Sequence, residues 1–253
     1  MLFLFNAAMW KFLYPLASPK VFFHKIEFIL PVIAFMALIF LLVGLTWGLF
    51  IAPPDYQQGD AYRILYVHVP AAFLSLFLYG LMAFFAFVLL VWRIKIAGIL
   101  LISTAEMGFL MALIALVTGS IWGKPMWGTW WIWDARLTSE FILLLLYAAI
   151  LATSSAFQQK GSQDKMVAIL TLIGVVDLPI IHYSVYWWNT LHQGATFSLL
   201  AKPKIAPVML FPLLLTLTGF FLYAFWALLS KSLNHLLMRE CHQRWVKDLI
   251  EER

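Results

Sequence analysis

Two of the six histidines are candidate ligands for a metal. His68 lies two residues before Pro70, and His192 follows the aromatic stretch Tyr186-Trp-Trp-Asn189. Imidazole is a good ligand for iron, and two imidazoles on opposite faces of one iron make the simplest six-coordinate haem. For either histidine alone, a hydrogen-bonded interfacial role is the more common one. The pair is a site only if the fold brings both residues to one place.

A tryptophan-rich segment lies between the two histidines in sequence. Five tryptophans occur in residues 122–134, namely Trp122, Trp127, Trp130, Trp131 and Trp133, and Asp134 follows them. Four of these positions (127, 130, 131 and 134) are spaced i, i+3, i+4 and i+7, so they share one face if the segment is helical. Aromatic faces can stack on a large planar ligand, although tryptophan is also favoured at any membrane interface. We favour the platform over the aromatic belt.

Cations near these residues could bind the two propionates of a haem. Arg63 lies five residues before His68, and Arg136 lies two after Asp134. Guanidinium groups bind carboxylates in a bidentate manner, so both arginines are candidate clamps. The alternative for Arg136 is an i, i+4 pair with Glu140. His182 is a third candidate ligand, ranked below the pair because a histidine inside a helix is more often packed and hydrogen-bonded.

Composition indicates that lipid surrounds these residues. Of the 253 residues, 64% are hydrophobic and 11% are charged, with a mean hydropathy of +0.91. A membrane-spanning helix needs about 20 apolar residues. Six such runs predict an all-α integral membrane protein with spans at residues 28–52, 70–92, 99–121, 138–157, 166–185 and 207–230. Residues 1–27 and 231–253 then form terminal segments on either side of one six-helix domain.

The distribution of Lys and Arg predicts the orientation. Twelve of the 17 basic residues fall in the two terminal segments and the two short connections, so we expect both termini in the cytoplasm. The tryptophan-rich loop between helices 3 and 4 and both candidate ligands then face the periplasm, as do seven of the 12 tryptophans. The net charge of +5 is explained by this bias and by attraction to membrane lipids, and needs no nucleic-acid partner.

Three further residues bear on the chemistry. The lone Cys241 precedes His242 without the second cysteine of a C-x-x-C-H motif, so covalent haem attachment is not expected. Glu106 and Asp177 lie within predicted spans, where a carboxylate is costly. Either marks a proton or substrate path, or is a protonated acid bonded within the bundle; the residues alone leave both readings open.

Several segments resemble a family of haem-handling membrane proteins that share a tryptophan-rich "WWD" loop flanked by histidines. Within it, the chain is similar to the C subunits of the bacterial cytochrome c maturation system, the haem exporter protein C (CcmC) family. The matching segments are YQQG at 56–59, YVHVPAA at 66–72, VTGS at 117–120, WGKPMWGTWWIWDARLTSE at 122–140, LPIIHYS at 178–184 and WWNTLHQ at 187–193.

This resemblance implies a function that composition cannot reveal. Such proteins reside in the bacterial inner membrane and bind haem b transiently and non-covalently at the periplasmic face, here through His68 and His192. They pass it to a periplasmic haem chaperone, the E subunit, and act with the A and B subunits of an ABC transporter and with a small membrane protein, the D subunit. The implied role is transfer, not enzyme catalysis. The alternatives are a bis-histidine b-type cytochrome for electron transfer, which normally holds its ligands within facing helices, and a haem permease.

Overall fold

A computed structural model describes residues 17–156, 160–192 and 205–251. The elements within these ranges are helices, which is the structure that satisfies every backbone polar group inside lipid. They are α1 (Pro19–Thr46), α2 (Leu65–Trp92), α3 (Lys95–Trp127), α4 (Ala135–Ala156), α5 (Lys160–Gly174), α6 (Asp177–Trp187), α7 (Pro207–Arg239) and α8 (Arg244–Glu251). A π-helical turn, Trp47–Ile51, extends α1, and a 3₁₀ turn, Asp60–Ile64, precedes α2.

Six helical segments are long and apolar enough to cross a membrane, which confirms the predicted class of fold. The fifth of them, Gly161–Trp187, is interrupted, because the chain turns between α5 and α6. The helices extend beyond several predicted ends. The second begins at Asp60 instead of residue 70, and the third runs to Trp127 instead of residue 121. His68, Trp122 and Trp127 therefore lie in helices, and placing them in loops was wrong.

Backbone geometry explains where the tryptophan segment stops being helical. Gly128 follows α3 with a φ of 75°, a left-handed conformation that glycine adopts without steric cost. Its N–H donates to the carbonyl of Lys124 (3.1 Å), which closes the helix. Residues 128–134, here called the tryptophan loop, then run without helical structure to the start of α4. The predicted helical face therefore does not form. It would have joined Trp127, Trp130, Trp131 and Asp134, and the last three of these lie beyond the end of the helix.

Small residues allow close contact between the first and last spans. A Cβ atom on Gly44 of α1 would lie 2.7 Å from the backbone nitrogen of Thr216 in α7. A Cβ atom on Gly219 of α7 would lie 2.8 Å from the backbone nitrogen of Leu41. Glycine at such crossings lets helix backbones approach in lipid, where no hydrophobic driving force joins helices.

The two ends of the bundle differ in chemistry. At the end that carries His68, here called the histidine end, lie the tryptophan loop and His192. At the opposite end, the start of α1 packs on α8 through Phe23 and Trp245, whose ring centres are 5.8 Å apart. Both described ends of the chain therefore lie on the same side, as six spans require.

The unassigned acids fall in different places. Glu106 forms an ion pair with Lys231 (2.6 Å) and lies 3.0 Å from Nε2 of His235. Both partners belong to α7, so side chains of that helix offset the charge of the carboxylate. Asp177 begins α6 and is 7% exposed, and its Oδ2 has no hydrogen-bond partner among the described residues. An acid in the first turn suits the helix dipole.

The contact at Gly44 generates a stability prediction. Gly44→Ala places a methyl group against the α7 backbone, and we expect a loss of about 1–3 kcal/mol of stability from overpacking. Thermal unfolding of the detergent-solubilised protein measures it. Gly80→Ala is the matched control, since a Cβ atom there meets nothing within 4 Å. Equal melting temperatures for the two variants would contradict the packing at this crossing.

Candidate functional site

His68 is held in one orientation by the neighbouring helix. It lies in the first turn of α2 and is half-buried, and its Nδ1 is 3.1 Å from both the carbonyl of Ala115 and Oγ1 of Thr118. A carbonyl can only accept, so Nδ1 carries the proton and donates it. The Thr118 hydroxyl donates in turn to the carbonyl of Ile114 (2.6 Å). In the neutral ring Nε2 is then the unprotonated nitrogen, which is the form that ligates a metal.

His192 lies beside His68 although 124 positions separate them in the chain. It follows α6, and the centres of the two imidazole rings are 6.4 Å apart with planes inclined at 40°. Metal–imidazole bonds are about 2 Å long, so two rings that ligate one metal from opposite faces have centres roughly 6 Å apart. The separation of the rings therefore matches that of two imidazoles bound to one metal.

Space for this arrangement depends partly on Gly119. A Cβ atom there would lie 3.1 Å from Cε1 of His68, closer than ordinary packing. Glycine at this position lets the Nδ1–Cε1 edge of the imidazole approach α3 while Nδ1 bonds to the backbone one turn earlier.

One tryptophan of the predicted platform contacts His68. Trp122 packs edge-on against His68, with ring centres 5.6 Å apart, and against Tyr62 at 5.7 Å. Its indole N–H donates to Oε1 of Gln58 in the loop before α2 (2.8 Å). Trp122 is thus fixed from two sides and forms a rigid aromatic wall beside the ligand pair.

Other tryptophans lie elsewhere around α3. Trp131 and Trp133 pack on each other (5.4 Å) and on Phe141 of α4 (6.1 and 6.5 Å). Trp130 is 56% exposed and lies under the ammonium group of Lys124 at 5.9 Å. Trp127 packs over Gly123 at the last turn of α3. The five rings are therefore divided between different surfaces and do not form one flat shelf.

Asp134 links the tryptophan loop to His192. Its Oδ1 accepts the N–H of Leu137 (2.8 Å), so it is the N-cap of α4. Its Oδ2 accepts the hydroxyl of Thr190, and the Thr190 oxygen accepts the backbone N–H of His192 (3.0 Å). One carboxylate thus holds the start of a helix and the segment that carries the second candidate ligand.

The two arginines make different contacts. Arg63 pairs with Asp60 (2.8 Å) and donates to the carbonyl of Gly48 (3.2 Å) at the π-helical end of the first span. Arg136 donates to the carbonyl of Ile181 in α6 (2.7 Å) and lies near enough to His68 to act on it electrostatically.

The alternative role of Arg136, an i, i+4 pair with Glu140, is replaced by other bonds. Glu140 is buried and accepts the hydroxyl of Ser75 (2.7 Å), while Arg136 bonds across to α6. The two charges still interact at longer range.

The third candidate ligand lies away from the pair. His182 is exposed in α6 and packs on its neighbour Tyr183 (4.8 Å). Sequence reasoning missed Thr118 and Thr190, because a hydroxyl that supports a ligand from another helix has no periodic signal.

The helices and this site define a class: a polytopic membrane protein with a paired-histidine site, walled by tryptophan, at one end of its bundle. The family model described as Heme exporter protein C matches residues 12–247, and the chain belongs to that family.

Individual relatives align over nearly the whole chain. It is 50% identical over 243 residues to Heme exporter protein C of Haemophilus influenzae, covering 96% of this chain and 99% of the relative. It is 47% identical over 245 residues to Heme exporter protein C of Escherichia coli K12, covering 97% and 99%. A putative cytochrome c biosynthesis ccmC-like mitochondrial protein of Marchantia polymorpha is 42% identical over 190 residues, covering 72% and 80%.

The bonds of Asp134 predict how its replacement acts. Asp134→Ala removes the N-cap, at a cost of about 1 kcal/mol, and releases Thr190 from its acceptor. We expect faster hydrogen–deuterium exchange at residues 188–192. Asp134→Asn is the control, because its amide oxygen can still cap α4 and its amide nitrogen can still bond to the Thr190 oxygen. Exchange that is unchanged in the alanine variant would show that Asp134 does not hold this segment.

Proposed function

We propose that this protein binds haem b at the periplasmic face of the bacterial inner membrane and delivers it to a periplasmic chaperone for the maturation of c-type cytochromes. Haem is cargo here, held non-covalently and transiently, and the protein acts as a transfer protein and not as an enzyme. The names of its relatives, which specify haem export and cytochrome c biosynthesis, support this role.

The observation that carries the proposal is the geometry of His68 and His192. Their ring centres are 6.4 Å apart, and a backbone carbonyl holds the first imidazole in the tautomer that presents Nε2. The two residues would be the axial ligands of the haem iron. Trp122 would bound the porphyrin beside His68. Arg63 and Arg136 would bind the propionates, with Asp134 positioning the second ligand.

Two features support non-covalent and reversible binding. Cys241, the one cysteine, is exposed beyond α7, at the end opposite to the histidines. Both ligands lie at the end of the bundle, and His192 lies in a segment outside the helices. Haem bound there keeps an edge towards water, and a partner can approach it.

The side of the membrane and the partners follow from charge and family. Basic residues are concentrated at the end opposite to the histidines, which by the positive-inside bias is the cytoplasmic end. Membership of the Heme exporter protein C family supports the E-subunit chaperone as acceptor, with the A and B subunits of an ABC transporter and the small membrane protein called the D subunit as partners.

One observation favours haem permeation as a second candidate. The fifth span is broken between Gly174 and Asp177, and an oxygen of that buried acid has no partner among the described residues. Broken spans line transport sites in many carriers. A b-type cytochrome for electron transfer is less favoured, because such proteins place their ligands within facing helices and not at a bundle end.

Ligand replacement tests the proposal. With haem added to the purified protein, we expect His68→Ala and His192→Ala each to abolish the six-coordinate absorption spectrum and to stop loading of a co-expressed chaperone. His182→Ala is the control and should retain both. A double variant of His68 and His192 that kept a six-coordinate spectrum would refute this ligand assignment.

The support of His68 by Thr118 gives a quantitative expectation. Thr118→Val removes one of the two acceptors of Nδ1–H, and loss of a ligand's supporting hydrogen bond typically weakens metal binding by at least about tenfold. Transfer of haem to excess apomyoglobin measures its retention. Thr153→Val is matched, since that hydroxyl also bonds to its own helix but lies far from the histidines. Equal retention in both variants would argue against a positioning role for Thr118.

A further inference from the structure

Two buried acids face each other where α4 packs against α6. Arg136 of α4 donates to the carbonyl of Ile181 in α6 (2.7 Å). The two helices belong to successive spans and run in opposite directions. One turn from this bond, away from the histidine end, leads to Glu140 on α4 and to Asp177 on α6, each on the same face of its helix as the bonded residue. The register therefore places the two acids opposite each other.

Both acids are removed from water and are incompletely bonded. Glu140 is 6% exposed and Asp177 is 7% exposed. Oε1 of Glu140 accepts the hydroxyl of Ser75 (2.7 Å). Oε2 of Glu140 and Oδ2 of Asp177 have no hydrogen-bond partner among the described residues. A buried carboxylate without partners is costly, and such a group lowers the cost by binding a proton.

The charges around the two acids differ. Glu140 is bonded to the Ser75 hydroxyl and lies within reach of the positive charge of Arg136. The charged group that acts on Asp177 is Glu140 itself. Two carboxylates that share one buried place do not both ionise readily, because like charges repel. One cation offsets one anion, so we expect Glu140 to be ionised and Asp177 to be neutral.

The other titratable groups around the pair are phenols, which carry no charge at neutral pH. The Tyr79 hydroxyl of α2 donates to the carbonyl of Thr171 in α5 (3.3 Å), and the Tyr147 hydroxyl of α4 donates to the carbonyl of Ser75 (2.8 Å). The first turn of α6, which contains Asp177, favours an anion through the helix dipole. Burial and the facing acid oppose this influence, so the carboxyl group can titrate.

We propose that Asp177 is a proton-binding site at the break of the fifth span, and that Glu140 keeps the proton there. With the proton bound, the contact between α4 and α6 carries one negative charge, which Arg136 offsets. Release of the proton to water places a second negative charge opposite the first.

The proton then affects how firmly α6 is held. Two negative charges opposite each other repel, and the bond from Arg136 to the carbonyl of Ile181 lies only one turn away. We expect α6 to loosen from α4 when Asp177 ionises. The segment that carries His192 follows directly after α6, so the proton bears on the position of the second candidate ligand.

Infrared difference spectroscopy of the full chain in detergent, without haem and titrated from acid to alkaline pH, tests the assignment. The difference between wild type and Asp177→Asn isolates the carboxylic acid band of Asp177. Glu140→Gln removes the facing charge, so it should weaken proton binding about tenfold and move the loss of this band about one pH unit lower. Glu106→Gln is the matched control, because that acid is paired with Lys231 instead, and it should leave the band unchanged.

Hydrogen–deuterium exchange tests the effect on α6. At alkaline pH, residues 178–187 should exchange faster in wild type than in Asp177→Asn, which stays neutral and has a similar size. At acid pH the two proteins should exchange equally.

The proposal is overturned by any of three results. Asp177→Asn removes no carboxylic acid band, Glu140→Gln and Glu106→Gln act equally on that band, or α6 exchanges equally in wild type and Asp177→Asn at alkaline pH. These measurements need no haem, and haem binding is followed separately by absorption, so failure here leaves the proposed function untouched.

Discussion

The hydrogen bond from His68 Nδ1 to the carbonyl of Ala115 is the interaction on which the site depends. It decides the tautomer, holds the ring beside His192, and joins the first turn of α2 to the second half of α3. The imidazole can reach the Ala115 carbonyl because Gly119, one turn further along α3, has no side chain in its way. A backbone acceptor is a durable partner for a ligand, since substitution of a side chain cannot remove it.

A second constraint joins the parts of the site that come from distant segments. Asp134 is both the cap of α4 and the acceptor for Thr190, so the end of the tryptophan loop and the residues before His192 move together. In the proposed function, this coupling means that a partner that displaces the tryptophan loop also shifts one ligand of the haem iron. Such a connection suits a protein that must release what it binds.

The tryptophans of the aromatic segment lie on different sides of α3 and do not form the single platform that the sequence predicts. Helical spacing favoured a single platform, but Gly128 ends the helix before Trp130, Trp131 and Trp133 are reached. Trp122 therefore remains with His68, whereas Trp131 and Trp133 pack on Phe141 of α4. Helical spacing predicts a shared face only while the helix continues, and one residue in the left-handed conformation is sufficient to end it.

The sequence by itself determined the class of fold, the six spans and the histidines most suited to ligation, because hydropathy over about 20 residues and residue chemistry are local properties. The resemblance to haem-handling proteins was also present in the chain, and family membership confirms it. Only the tertiary structure decided that His68 and Trp122 are helical, that Thr118 and Thr190 bond to the two candidate ligands or their backbone, and that Arg136 bonds to α6 instead of Glu140. The contacts between these helices and loops join residues 45 or more positions apart, and their partners are selected by how helices pack, which no local pattern encodes.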